Sequence, residues 1–190
     1  MDEKEKRIRQ NCWEKAIQCL GTSYIFQVKA KEYAKYLKYI TILGIIVPLI
    51  TGGIAMGYGQ YSQYLSYFLV IAVPLSIFQV ILSSIALIYK WEDNLSYSLE
   101  SQSENRKLSE DFKQLAENTS ITSAELEHKF ELFKTMDDAR SKQDEKITFS
   151  SKENCKGMRY ALKIFQIECA ICKKVPIDME PTNCDNCGKF

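Results

Sequence analysis

From residue 39 to residue 89 the chain contains no Asp, Glu, Lys, Arg or His. Charged residues make up 26% of the whole, so this gap between Lys38 and Lys90 is not ordinary surface sequence. Histidine is nearly absent too: His128 is the single one, set among Glu125, Glu127 and Glu131, and it reads as an exposed helix residue. No Gly-Lys-Ser/Thr phosphate loop, HExxH or nucleotide-type GxGxxG is present. With one histidine and no adjacent nucleophile there is little for acid–base catalysis, so no enzyme is expected. The first residues, MDEKEKRIRQ, are charged and lack the apolar stretch of a cleavable signal peptide. A net charge of +1 provides no global field for nucleic acid. No sustained heptad supports a long coiled coil.

The uncharged stretch divides around the polar segment 57–63. About 20 residues at 1.5 Å rise cross a ~30 Å hydrocarbon core, so 39–58 and 67–89 are predicted as a transmembrane hairpin. A buried hairpin in a soluble protein is the alternative, but it would not need so long an uncharged run. Tyr58, Tyr61, Tyr64 and Tyr67 cluster at one end and Tyr89 with Trp91 at the other, as interfacial aromatic belts do. Pro48 lacks a backbone N–H and is expected to bend the first span. Gly44, Pro48 and Gly52 share a face, and Gly53 with Gly57 forms a GxxxG pair. These small residues serve either close packing within the hairpin or a gating bend. In the second span, which carries Pro74 near its start, Ser76, Gln79 and Ser83 recur at helical spacing. In lipid they need partners. Hydrogen bonds across the hairpin and a pore lining in an oligomer are the two readings.

Residues 1–38 form a basic N-terminal segment predicted as helix from residue 3 to about 36, with a break or kink at Gly21-Thr22-Ser23. Ile8, Cys12, Ala16, Cys19 and Leu20 lie on its apolar face. Lys29, Lys31, Lys35 and Lys38 alternate with tyrosines, as at a membrane interface; a nucleic-acid stripe is the alternative. Basic residues precede the first span and none occupies the connecting turn, which places both termini in the cytoplasm. Residues 90–150 are predicted as charged helices, the first with Leu95, Leu99, Leu108, Phe112 and Leu115 along a stripe. The second opens at the capping pattern Thr122/Glu125, with Leu126, Phe130, Phe133 and Met136 on its face. Residues 141–150 read as a linker. Ser150 and Glu153 start a short helix whose face holds Cys155, Met158, Leu162 and Phe165. The fold class is therefore an all-α membrane protein: a two-helix transmembrane hairpin, cytoplasmic helices, and a small tail over 151–190.

That tail ends in Cys169-Ala-Ile-Cys172 and, after eleven residues, Cys184-Asp-Asn-Cys187-Gly188. Two CxxC pairs at short separation point to a zinc ribbon or knuckle. Four thiolates leave no open coordination position, so the zinc would be structural. Lys173, Lys174 and Lys189 are available to offset the net negative charge, and Gly188 eases the second turn. Disulfides fit poorly in a reducing cytoplasm, and a redox dithiol would want an α/β context. An iron–sulfur site stays open.

The basic N-terminal helix, tight hairpin, charged helices and Cys169/Cys172/Cys184/Cys187 pattern resemble SLATT-type two-transmembrane effectors. In particular they resemble the mobilome-associated branch with the CxxC, eleven residues, CxxC signature. The resemblance implies action in bacterial conflict and anti-phage defence at the inner membrane. There an upstream sensor or signal-producing protein would trigger homo-oligomerisation and a pore or other membrane damage, with the lipid bilayer as partner and no small-molecule substrate. In that setting Gly44, Pro48, Gly52, Gly53, Gly57, Ser76, Gln79 and Ser83 are the candidate packing or pore-lining residues. The other reading is a non-enzymatic anchor whose zinc ribbon recruits a protein or nucleic acid.

Overall fold

The computed structural model describes residues 3–58 and 63–190. The centre of the polar turn, 59–62, lies outside the described residues. Five helices follow one another: α1 (Glu3–Tyr58), α2 (Gln63–Ile88), α3 (Trp91–Glu117), α4 (Ser123–Asp144) and α5 (Ser151–Phe165). Among the described residues there is no strand. The chain divides into two compact units, Met1–Val28 with Ser98–Phe190, and Lys29–Tyr97.

In the first unit, α1 buries Ile8, Cys12, Ala16 and Cys19 against Leu108, Phe112 and Leu115 of α3 and Leu126 and Phe130 of α4. Phe112 meets Phe130 and Phe133 edge-on. The ends of the helices are set by local chemistry. Asn118 Oδ1 accepts from the Ser120 N–H at 3.0 Å and stops α3. Thr122 caps α4 through the Glu125 N–H. Ser150 and Glu153 form a full capping box on α5. Gln166 closes α5 in the left-handed conformation, φ 54.

Three expectations change here. Gly21 does not break α1, which is continuous through it. Its lack of a side chain instead lets α5 approach: a Cβ on Gly21 would sit 3.2 Å from the Gly157 backbone, and one on Gly157 would sit 2.7 Å from the Gly21 carbonyl. Residues 141–144 are not linker but the last turn of α4, with Asp144 buried. The early stripe on α3 is also different, because Leu99 faces outward while Ser98, Ser101 and Asn105 are buried. The reason is an ionic knot. Arg140, 3% exposed, binds Asp144 at 2.9 Å, Glu104 at 2.6 Å and Glu100 at 3.1 Å. Its guanidinium also reaches the Ser101 hydroxyl, and Asn105 donates to Asp144 at 2.7 Å. Small polar residues on α3 make room for this knot, so an apolar stripe cannot report the buried face.

In the second unit, α1 and α2 lie side by side with opposed numbering: Tyr36 meets Trp91, with ring centroids 5.4 Å apart, and Gly44 meets Gln79. Two helices, Glu3–Ile54 and Ser66–Ile88, are long and apolar enough to cross a membrane. Only 6% of either apolar window is buried. Leu49, Val70, Ile71, Ile77 and Leu87 are exposed, whereas the core hairpin of a soluble protein would cover them.

Candidate metal centre and polar helix pair

The tail is placed by α5. Cys155 donates its thiol to the Asp185 carbonyl at 3.0 Å, which gives this buried cysteine a structural contact outside the four-cysteine group. Arg159, also buried, donates through Nε to the Asp178 carbonyl (2.9 Å), through Nη2 to the Asp178 carboxylate (2.8 Å) and through Nη1 to the Cys187 carbonyl (3.4 Å). One side chain thus ties the loop between the two CxxC pairs to the last cysteine. Ile17, Met158 and Leu162 cover Cys169 and Cys187 from the apolar side. Sequence reasoning missed Arg159. Its signal is position: Arg159 stands four residues after Cys155 and three before Leu162, on the helix face that those two share.

Each CxxC pair is a tight turn. The Cys169 carbonyl accepts from the Lys173 N–H at 2.9 Å, and the Cys184 carbonyl accepts from the Gly188 N–H at 2.9 Å. Lys173 adopts φ 56. Gly188 is needed for space: a Cβ there would lie 2.6 Å from the Thr182 carbonyl oxygen, and the Thr182 N–H in turn bonds the Gly188 carbonyl at 2.9 Å.

These turns gather all four sulfurs within 4.8 Å of one another. Cys169 to Cys184 and Cys172 to Cys187 are both 3.8 Å apart. Four sulfurs at ~2.3 Å from a tetrahedral ion stand ~3.8 Å apart, so the donor set could hold a metal ion. With no strand among the described residues, the tail is a pair of knuckle turns rather than a ribbon. Burial pushes the Cys169 thiol up, but donors from the Cys172 backbone, the Asn186 side chain and the Ile171 backbone outweigh it and bring it down to about 6. Cys184 is lowered by the Cys187 and Asn186 backbone N–H groups. Cys187 is raised, by burial first and then by its three thiol neighbours. Outside the cluster, burial lifts Cys12 to about 11, and burial with Asp137 lifts Cys19 as well. Of the nearby lysines, Lys189 is engaged by Asp185 at 2.5 Å, while Lys173 and Lys174 are exposed.

In the helix pair, Gly44, Pro48 and Gly52 line one groove together with Thr51, Ser76 and Gln79. Gln79 lies over Gly44, with its amide nitrogen 2.7 Å from where a Cβ would stand. Ser76 bonds its own helix at the Ala72 carbonyl, 2.8 Å. No hydrogen bond crosses the pair among the described residues, and Gln79 and Ser83 have no hydrogen-bond partner there. Pro48 has no N–H to offer the Gly44 carbonyl, nor Pro74 the Val70 carbonyl. The Gly53/Gly57 pair is not brought to α2: Cβ atoms there would meet nothing within 4 Å among the described residues.

The spacing that builds the cysteine cluster is also a family signature. Residues 9–190 match the family described as mobilome CxxCx(11)CxxC protein. The chain belongs to this family. Comparison with curated proteins and with solved structures returned no match. In this member of the mobilome CxxC family the signature is therefore a closed group of four thiols docked on α5, in a chain that also carries two helices able to span a bilayer.

Proposed function

We propose that this chain is a SLATT-type membrane effector of bacterial conflict that assembles in the inner membrane and opens it on an upstream signal. One observation carries the reading. The helix pair exposes its aliphatic residues yet, among the described residues, leaves Gln79, in the groove with Gly44 and Pro48, and Ser83, further along α2, without hydrogen-bond partners. In hydrocarbon such groups require water or another protein surface. A homo-oligomer whose seam contains the Ser76/Gln79/Ser83 stripe supplies either, with Pro48 and Pro74 as bending points. Both termini lie in the cytoplasm, where four thiolates hold a structural zinc. Coordination of this kind is worth ~10–16 kcal/mol of apparent folding energy, enough to hold a tail with a small core. No catalytic step and no small-molecule substrate belong to this reading.

The experiment is induced expression in a bacterium with a membrane-potential dye, comparing the natural chain with a Gln79→Leu/Ser83→Leu variant. The natural chain should depolarise cells when triggered. The variant should not, while still cross-linking into oligomers. Depolarisation by both, or by neither under any trigger, overturns the pore.

A second reading, a tether that recruits a partner, is favoured by a cavity of 600 Å³ beside the cysteines, where Val175 and Pro176 adjoin the exposed Ile171 and Ile177. A tether would be indifferent to the Gln79 and Ser83 changes.

A further inference from the structure

A second cavity, of 430 Å³, lies in the helix pair at the turn from α2 to α3. Here Lys90 holds φ 51, with its N–H on the Leu87 carbonyl at 3.1 Å. Asn94 fastens the turn from the other side, its side-chain amide on the Tyr89 carbonyl at 3.0 Å. One wall of the cavity is aliphatic, from Leu37, Ile40 and Leu87. The rim is Lys90, Trp91, Glu92 and Asp93. Among the described residues none of Lys90, Glu92 or Asp93 forms an ion pair. Ser83 also lines the cavity.

The chemistry of that rim is selective. One cation and two carboxylates give it a net charge of −1, which opposes a purely anionic group. The carboxylates call for a cation with N–H donors, the lysine for an anion next to it, and the aliphatic wall for a hydrocarbon chain attached to both. The position, directly after the uncharged stretch, is the level of lipid headgroups on the membrane reading given above. We propose that this cavity is a binding site for a phosphoethanolamine lipid. Its ammonium donates to Glu92 and Asp93, its phosphate accepts from Lys90, and an acyl chain lies along Leu37, Ile40 and Leu87. The site rests on the membrane assignment but not on pore formation.

The test uses the full-length, metal-loaded protein in mild detergent. Calorimetric titrations compare short-chain phosphatidylethanolamine, phosphatidylcholine, phosphatidylglycerol and soluble O-phosphoethanolamine. Saturable binding of the phosphatidylethanolamine is expected, about 10-fold or more tighter than the other three, because choline has no N–H donor, glycerol no cation and the soluble group no chain. Lys90→Asn, which tolerates the left-handed backbone, and Glu92→Gln/Asp93→Asn should each weaken it by about 10-fold. Equal affinity for phosphatidylglycerol or phosphatidylcholine, or unchanged affinity in both variants, overturns the headgroup assignment. Equal binding of O-phosphoethanolamine overturns the lipid. Alkaline carbonate extraction of membranes separates the two levels. Release of the protein overturns the membrane assignment and this site with it, whereas retention without phosphoethanolamine selectivity overturns the site alone.

Discussion

Arg159 ties two parts of the tail together, because its fork spans Asp178 and Cys187 at once. Arg159→Ala should lower metal affinity by about 10- to 100-fold, the range for lost outer partners of metal ligands, as read by competition with a chromophoric chelator. Arg159→Lys should recover little, since a single ammonium cannot span both carbonyls and the Asp178 carboxylate. The cysteines themselves differ in the same local terms. Cys184 is only half buried and its thiol is lowered, whereas Cys12 and Cys19 are fully buried and raised. Metal-stripped protein treated with iodoacetamide at neutral pH should therefore alkylate at Cys184 well before Cys12 or Cys19, with peptide mass spectrometry as the readout. The sign for stability follows from Cys169. Its lowered thiol favours the folded metal-free tail above the ordinary value of 9.0, and that contribution fades as pH falls through about 6.

Elements are joined here by contacts that tolerate little change. The α1–α5 crossing depends on two facing glycines, and Gly157 has the tighter surroundings, with the Gly21 carbonyl at 2.7 Å and Ile25 at 3.0 Å from a new Cβ. Gly157→Ala should destabilise the first unit by about 1–3 kcal/mol, with a smaller effect for Gly21→Ala, measured by thermal unfolding of the near-ultraviolet signal. The α3–α4 contact depends on the Arg140 knot. Removing only the arginine leaves Asp144 buried without its cation, so Arg140→Ala should cost about 3–5 kcal/mol by urea titration. In the other unit a Cβ on Gly53 would meet nothing within 4 Å among the described residues. Gly53→Ala should thus leave the isolated pair intact, while Gly53→Leu reports on assembly. If protomers meet at that face, cross-linking falls.

At the scale of the whole molecule the cysteine tail and the helices should separate by their dependence on metal. Chelation should unfold the tail, with a large gain in protease cleavage after residue 166, while most helical circular dichroism persists, because the helices do not draw their hydrogen bonds from the cysteine turns. The element order, both candidate spans and the four-thiol group were legible in the sequence because each has a short-range signature: an uncharged run, a capping residue, a fixed cysteine spacing. The continuity of α1, the helical state of 141–144 and the role of Arg159 were not legible. In each case a residue that locally disfavours helix or burial finds its partner far along the chain: Gly21 at Gly157, Asp144 at Ser101 and Asn105, Arg159 at Asp178.

The sequence by itself determined that the chain is helical, that residues 39–89 avoid charge, and that four thiols stand at metal-binding spacing, because backbone propensity, hydrocarbon transfer and turn length are local quantities. Only the tertiary structure decided which polar groups are buried together and which are left without partners. Desolvation and ion pairing depend on neighbours more than a hundred residues away, as Lys15 and Asp137 show. Gln79 and Ser83, without hydrogen-bond partners among the described residues, and the mixed rim at Lys90 belong to that second kind of information, and they are where the functional proposals stand.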